Sequence, residues 1–196
     1  MTKQKSKRTH KSTLVFLAIG ITALIGLAFL LWPKDENNVV LRGTVNLSQE
    51  GREHVNGYLV WAERATIKDM EVNHEFAALG LSDLSEALRA ISESTSDRAA
   101  TYSRSRLQRI EAAASQITKK PDNLEHSNLV KDAFIATQEV LLFLQEGTFP
   151  ALSTQLKALN AHIISINEQE PLLNQKEKIL ETHKQIAAII KVMIRD

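Results

Sequence analysis

The sequence contains no cysteine. That absence excludes a disulfide-stapled fold, a cysteine-ligated zinc or iron–sulfur site and a catalytic thiol. Glycine and proline are scarce, at 7 and 4 among 196 residues, and aromatics make up only 5%. Collagen-like and low-complexity chains need far more glycine and proline than this. Nucleophile elbows and phosphate-cradling loops also need glycine, and only five glycines lie beyond residue 32. An excess of one charge is missing too: 24 Lys and Arg stand against 23 Asp and Glu, for a net charge of +1. With 43% hydrophobic residues the chain has enough apolar material for a core, which excludes wholesale disorder. What is plentiful is Ala, Leu, Ile, Glu, Gln and Lys, residues that favour helix.

The averages conceal a division along the chain. Residues 1–13 form a basic tail with Lys3, Lys5, Lys7, Arg8 and Lys11 and no acid. From Leu14 to Trp32 runs a stretch of 19 residues without a charge. As a helix it measures about 28 Å, close to the roughly 30 Å of bilayer hydrocarbon. Trp32 stands where an interfacial aromatic belongs, and Pro33 stops the helix. A cleaved signal peptide has a shorter apolar core followed by small residues, and Leu-Leu-Trp-Pro-Lys-Asp offers none. The expectation is therefore an uncleaved transmembrane anchor over 14–32, with the lipid bilayer as first partner. The excess of Lys and Arg before the span predicts a cytoplasmic N-terminus. Residues 34–196 then lie in the periplasm or outside the cell, in a single-pass protein of the inner (plasma) membrane. Ala18, Thr22 and Gly26 share one face of the span. Such a stripe either lets two copies approach as a homodimer or is ordinary composition, and the spacing leaves both open.

Residues 33–47 read as an extended linker. Val39–Val45 is β-branched and strand-like, but a lone strand cannot satisfy its own edges. Asn46-Leu47-Ser48 matches a glycosylation sequon, which matters only in a eukaryotic host.

Over 48–196 the apolar spacing is helical. Ser48 is the expected N-cap of a first helix reaching about Leu79, with Gly80 as its C-terminal cap or turn. Val55, Leu59, Ala62, Thr66 and Met70 form one stripe; Tyr58, Trp61, Ala65, Val72, Phe76 and Leu79 form another. A second helix starts near Ser82 and either crosses the polar residues 92–97 or breaks there, with Ser94 and Asp97 as a capping box. A third spans about Leu124 to Glu146 and stops at Gly147. The fourth begins near Pro150, where Leu152, Leu156, Leu159, Ile163 and Ile166 follow a 4-3-4-3 seam. Pro171 interrupts it before Leu172, Ile179, Ile186, Ile190 and Met193. Short connections favour antiparallel neighbours. The fold expected is all-α: an N-terminal transmembrane helix, then an elongated antiparallel bundle of about four main helices.

Three candidate sites emerge. Glu71-Val72-Asn73-His74 is an E-x-x-H, which on one helix places both side chains on one face. Di-metal bundles need two such pairs, and only one exists, so Glu71 and His74 make a weak metal site. His183 falls on the apolar stripe between Ile179 and Ile186. It reads first as a core histidine bonded to a carbonyl or a neighbouring side chain, and second as a metal or haem ligand with Met70 or His74. Arg98, Arg104, Arg106 and Arg109 cluster around Tyr102. They form either an anion-recognising patch or a solvated face with Asp97 and Glu111. Nucleic acid is not an expected partner, because the outer domain is not basic.

Taken together, the sequence predicts no enzyme and no cofactor. It predicts an interaction or scaffold component of a bacterial envelope complex, with other envelope proteins as partners. The alternative is an extracytoplasmic ligand- or metal-binding bundle of sensor type. The order of tail, anchor and helical outer domain resembles the layout of many bacterial envelope proteins, and no family motif accompanies it.

Overall fold

The computed structural model describes residues 45–194, apart from Asn73, 120–125 and the side chains at 70–74 and 119. The expected anchor over 14–32, its Ala18/Thr22/Gly26 stripe and all of the strand-like stretch but Val45 lie outside the described residues. Among the described residues no helix is long and apolar enough to cross a membrane.

Ser48 opens the first helix as its position predicts. Its Oγ accepts the Gly51 N–H at 3.1 Å and so satisfies one of the free amides of the first turn. This helix, α1, spans Gln49–Arg64 and is followed by a short α2, Ile67–Val72, and by α3, His74–Thr95. The single helix expected over 48–79 is therefore broken. The reason lies in a local cap: Thr66 and Asp69 bond reciprocally, Thr66 N to Asp69 Oδ2 at 2.9 Å and Asp69 N to Thr66 Oγ1 at 3.4 Å. That Thr-x-x-Asp box starts a new helix at Ile67. The break also shifts the phase of the apolar stripe, leaving Thr66 exposed and Leu79 51% exposed although the sequence stripes place both inward.

Ser96 alone separates α3 from α4, Asp97–Lys119. The chain does break in the polar stretch, but the cap is Ser96, whose Oγ accepts the Ala99 N–H at 3.1 Å. Ser92 and Ser103, both buried, meet across the hairpin at 2.8 Å, so part of the polar stretch faces the neighbouring helix. Next come α5, His126–Gly147, a 3-10 turn at Pro150–Leu152, and α6, Ser153–Ser165. A second 3-10 turn, Leu172–Gln175, leads into α7, Lys176–Met193. The described residues thus hold seven α-helices and no strand, and the expected four are subdivided at these caps and turns.

Cross-helix pairs run in opposite senses along successive elements. Ser92 meets Ser103 while Ser85 meets Glu111; Tyr102 meets Phe143 while Arg109 meets Asp132. The α3–α4 and α4–α5 pairs are therefore antiparallel, as short connections require. Helix α3 packs on α1 and α4, α5 on α4 and α6, and α7 on α6 and back onto α1. One continuous core results, with Leu84, Leu88, Ile110, Phe134, Leu141 and Ile186 among its fully buried members. The 4-3-4-3 seam from Leu152 to Ile166 is buried throughout. Val45 and Leu47 join this core from the linker, and Val45 N donates to Met193 O at 3.4 Å.

Gly80 is not a helix terminus. It lies inside α3, and a Cβ there would stand 2.3 Å from the indole of Trp61. A glycine in a helix interior costs about 1 kcal/mol relative to alanine, and the close seat of Trp61 on the bare backbone offsets it.

Candidate functional site

Two side-chain clusters stand out on this scaffold. The first surrounds His183. Helix α7 points the ring inward between Ile179 and Ile186, and the residue is fully buried. Trp61 of α1 lies edge-on at 4.6 Å between ring centroids, and Phe134 of α5 edge-on at 4.9 Å. Tyr58 completes the box at 6.0 Å. The Tyr58 hydroxyl donates to the His183 carbonyl oxygen at 3.1 Å and lies 3.2 Å from His183 Nδ1. A phenol has one proton, so with that proton on the carbonyl the ring proton sits on Nδ1 and is donated back to the Tyr58 oxygen. His183 Nε2 then carries the lone pair. It and Trp61 Nε1 are buried with no hydrogen-bond partner.

Burial in this apolar box lowers the His183 pKa to about 3, because the charged imidazolium would have to be stripped of water. The same burial raises the Tyr58 pKa well above its usual value. The pair is therefore neutral over the physiological range. His183 thus occupies the core position, bonded to a neighbouring side chain, that its stripe predicts.

The E-x-x-H does not lie on one helix. Glu71 belongs to α2 and His74 opens α3, so the helical spacing that placed them on one face does not apply. Their side chains, and that of Met70, lie outside the described residues. Among the described residues no three His, Asp or Glu side chains gather where they would hold a metal.

The second cluster is the arginine seam between α4 and α5. Arg98, Tyr102, Arg106 and Arg109 recur at helical spacing along the side of α4 that meets α5. Arg109 donates to Asp132 Oδ1 at 2.5 Å and to Glu139 Oε2 at 3.3 Å. The Asp132 hydrogen bonds are the main reason its pKa is raised. Arg106 donates to Glu139 Oε2 at 3.0 Å and stacks over the Tyr102 ring at 4.0 Å. Tyr102 in turn stacks on Phe143, with centroids 4.1 Å apart and planes within 12°. Arg98 rests over the outer part of the row, 5.5 Å from the Phe143 centroid.

The acids that neutralise this row come from α5, not from the sequence neighbours Asp97 and Glu111. Glu111 instead pairs with Arg89 and accepts the Ser85 hydroxyl at 3.1 Å, bracing α4 against α3. Of the four arginines, Arg106 and Arg109 are thus committed inside the bundle. Arg98 and Arg104 are exposed and form no ion pair among the described residues. Asp132 and Glu139 were not legible as partners, since only tertiary packing brings them to the arginines. Their seven-residue spacing on one face of α5 is the signal that was available.

The fold and these two clusters define an all-α bundle with a buried histidine–aromatic box and an arginine-laced seam. No protein-family model, curated protein or solved structure matches the chain.

Proposed function

We propose that this protein is a membrane-tethered, non-enzymatic helical bundle that serves as an interaction or scaffold component of a bacterial cell-envelope complex. The observation that carries the reading is the uncharged run from Leu14 to Trp32 behind five Lys and Arg residues. On this reading residues 34–196 project from the outer side of the inner membrane, where other envelope proteins meet them. Two features of the bundle favour interaction over chemistry. The buried histidine is held neutral against aromatic rings, and the Arg106–Glu139 and Arg109–Asp132 ion pairs tie helix to helix. In-membrane cross-linking from several exposed positions of the bundle, with identification of the captured proteins, tests the reading. A recurrent envelope partner is the expected result; capture of lipid alone from every position would refute it.

A second reading, a ligand- or metal-binding bundle of sensor type, has one observation in its favour: His183 Nε2 and Trp61 Nε1 are buried without partners. It predicts a stoichiometric metal or a visible absorption band in the purified full chain, lost in His183→Ala. The scaffold reading predicts neither.

A further inference from the structure

Helix α1 buries Val55, Tyr58, Leu59, Trp61 and Ala62 and packs on α3 and α7. Its opposite side carries Glu53, Gly57, Val60 and Arg64, spaced 4-3-4 so that they share one face, and all four are exposed. Val60 is 45% exposed. Gly57 has no packing reason inside the chain: a Cβ there would meet nothing within 4 Å, whereas those at Gly51 and Gly80 would press on Ala90 and Trp61. Glycine is disfavoured in a helix interior and serves where another chain comes close to the backbone. The charges of α1 divide in the same way. Arg52 donates to the Leu47 carbonyl at 3.2 Å, Glu63 pairs with Lys191 at 3.8 Å and Glu50 faces His54 at 3.9 Å. Glu53 accepts only from Gln49 of its own helix, and neither it nor Arg64 forms an ion pair among the described residues.

We propose that this face of α1 pairs with the same face of a second copy of the chain, the two helices antiparallel. Glu53 precedes Gly57 by four residues and Arg64 follows Val60 by four, so the stripe is its own complement about a two-fold axis midway between Gly57 and Val60. Each Val60 then lies over the bare backbone at Gly57 of the other copy, and each Glu53 meets an Arg64 across the axis. A parallel pair would set Glu53 against Glu53 and Arg64 against Arg64, which like-charge repulsion disfavours. An unrelated partner would have to supply this same order of charges; a second copy has it already. One pair of short helices falls below the roughly 1,200 Å² of a stable free-standing interface. The pair therefore belongs on the membrane, where a shared anchor raises the local concentration. The twelve residues from Pro33 to Thr44 reach about 40 Å when extended, which lets two anchors in one membrane serve helices that run in opposite directions. The proposal takes that tether from the reading above and adds the partner.

The test reconstitutes the full chain into vesicles of zwitterionic lipid, with Ser115→Cys carrying a donor or an acceptor dye, and reads energy transfer between copies. Transfer above that of randomly placed labels is expected. Glu53→Arg alone, or Arg64→Glu alone, sets like charges against each other at both ends and should weaken association about tenfold. Mixing the two variants brings opposite charges together again at both ends and should restore transfer, a recovery that a folding defect would not allow. The double exchange in one chain should restore it too. Gly57→Leu has room in the single copy and should keep the wild-type circular dichroism, yet lower the transfer. Absence of transfer in the unmodified stripe would overturn the proposal. So would transfer indifferent to the single exchanges, which would place the contact in the anchor or on another face, or a loss that mixing does not restore. Flotation of the same vesicles reports the tether separately: a chain that floats without transfer loses the pair and keeps the tethered scaffold, and a chain that stays behind contradicts both.

Discussion

His183 shows how much one buried side chain can set the behaviour of the domain. Its folded pKa of about 3 lies below the ordinary 6.5, so below pH 6.5 the unfolded chain binds a proton that the folded chain refuses. Stability is therefore full above pH 6.5 and falls as the pH drops toward 3. This one site contributes a loss of about 1.4 kcal/mol per pH unit. Urea unfolding at a series of pH values should show that slope, and His183→Phe should remove it. Tyr58 acts at the other end: its folded pKa is raised, so its contribution is complete below pH 10 and is lost above it. Gly80 makes the second case. Alanine is the better helix former, yet Gly80→Ala should destabilise by about 1–3 kcal/mol, because its methyl collides with the Trp61 indole. Thermal unfolding checks this, and Trp61→Ala in the same chain should make the alanine at 80 tolerable.

At the scale of elements, local signals were readable and distant ones were not. The Ser48 cap, the stop at Gly147 and the 4-3-4-3 seam of α6 each depend on residues within a turn or two, and all three stand as the spacing predicts. Thr66 and Asp69 were equally local, but their box sits within a continuous apolar stripe, and the stripe suggested one helix. The role of Gly80 was beyond reach, because its reason is a tryptophan on another helix. The arginine seam was half legible: its arginines show in the sequence, and their acids on α5 do not.

The connection between α6 and α7 rests on Gln175, which is buried. Its amide accepts from Asn167 N at 2.6 Å and donates to Asn167 O at 2.7 Å and Glu170 O at 3.0 Å. Gln175→Ala removes the buried amide that ties the backbone of Asn167 and Glu170 to the start of α7, three hydrogen bonds in all, and should cost about 1–3 kcal/mol. Glu139→Gln weakens only half-exposed ion pairs, so its cost should stay below about 1 kcal/mol and shrink in high salt. Chemical unfolding of the two variants side by side should rank them in that order.

For the whole molecule, the near-neutral charge is a sum of unlike parts. Residues 1–33 carry five Lys and Arg and no acid; residues 34–196 carry 19 basic and 23 acidic residues, a net −4. A basic tail ahead of an uncharged span is the charge arrangement that the proposed tether requires. The absence of cysteine makes this open to direct measurement, since any thiol introduced is the only one. The decisive experiment labels single cysteines with a membrane-impermeant maleimide in intact bacterial spheroplasts. The proposed topology predicts that Ser115→Cys, on the exposed side of α4, is labelled in intact spheroplasts. Thr2→Cys, in the tail, should be labelled only after lysis. The reverse pattern, or recovery of the unlabelled chain in the soluble fraction, would contradict it.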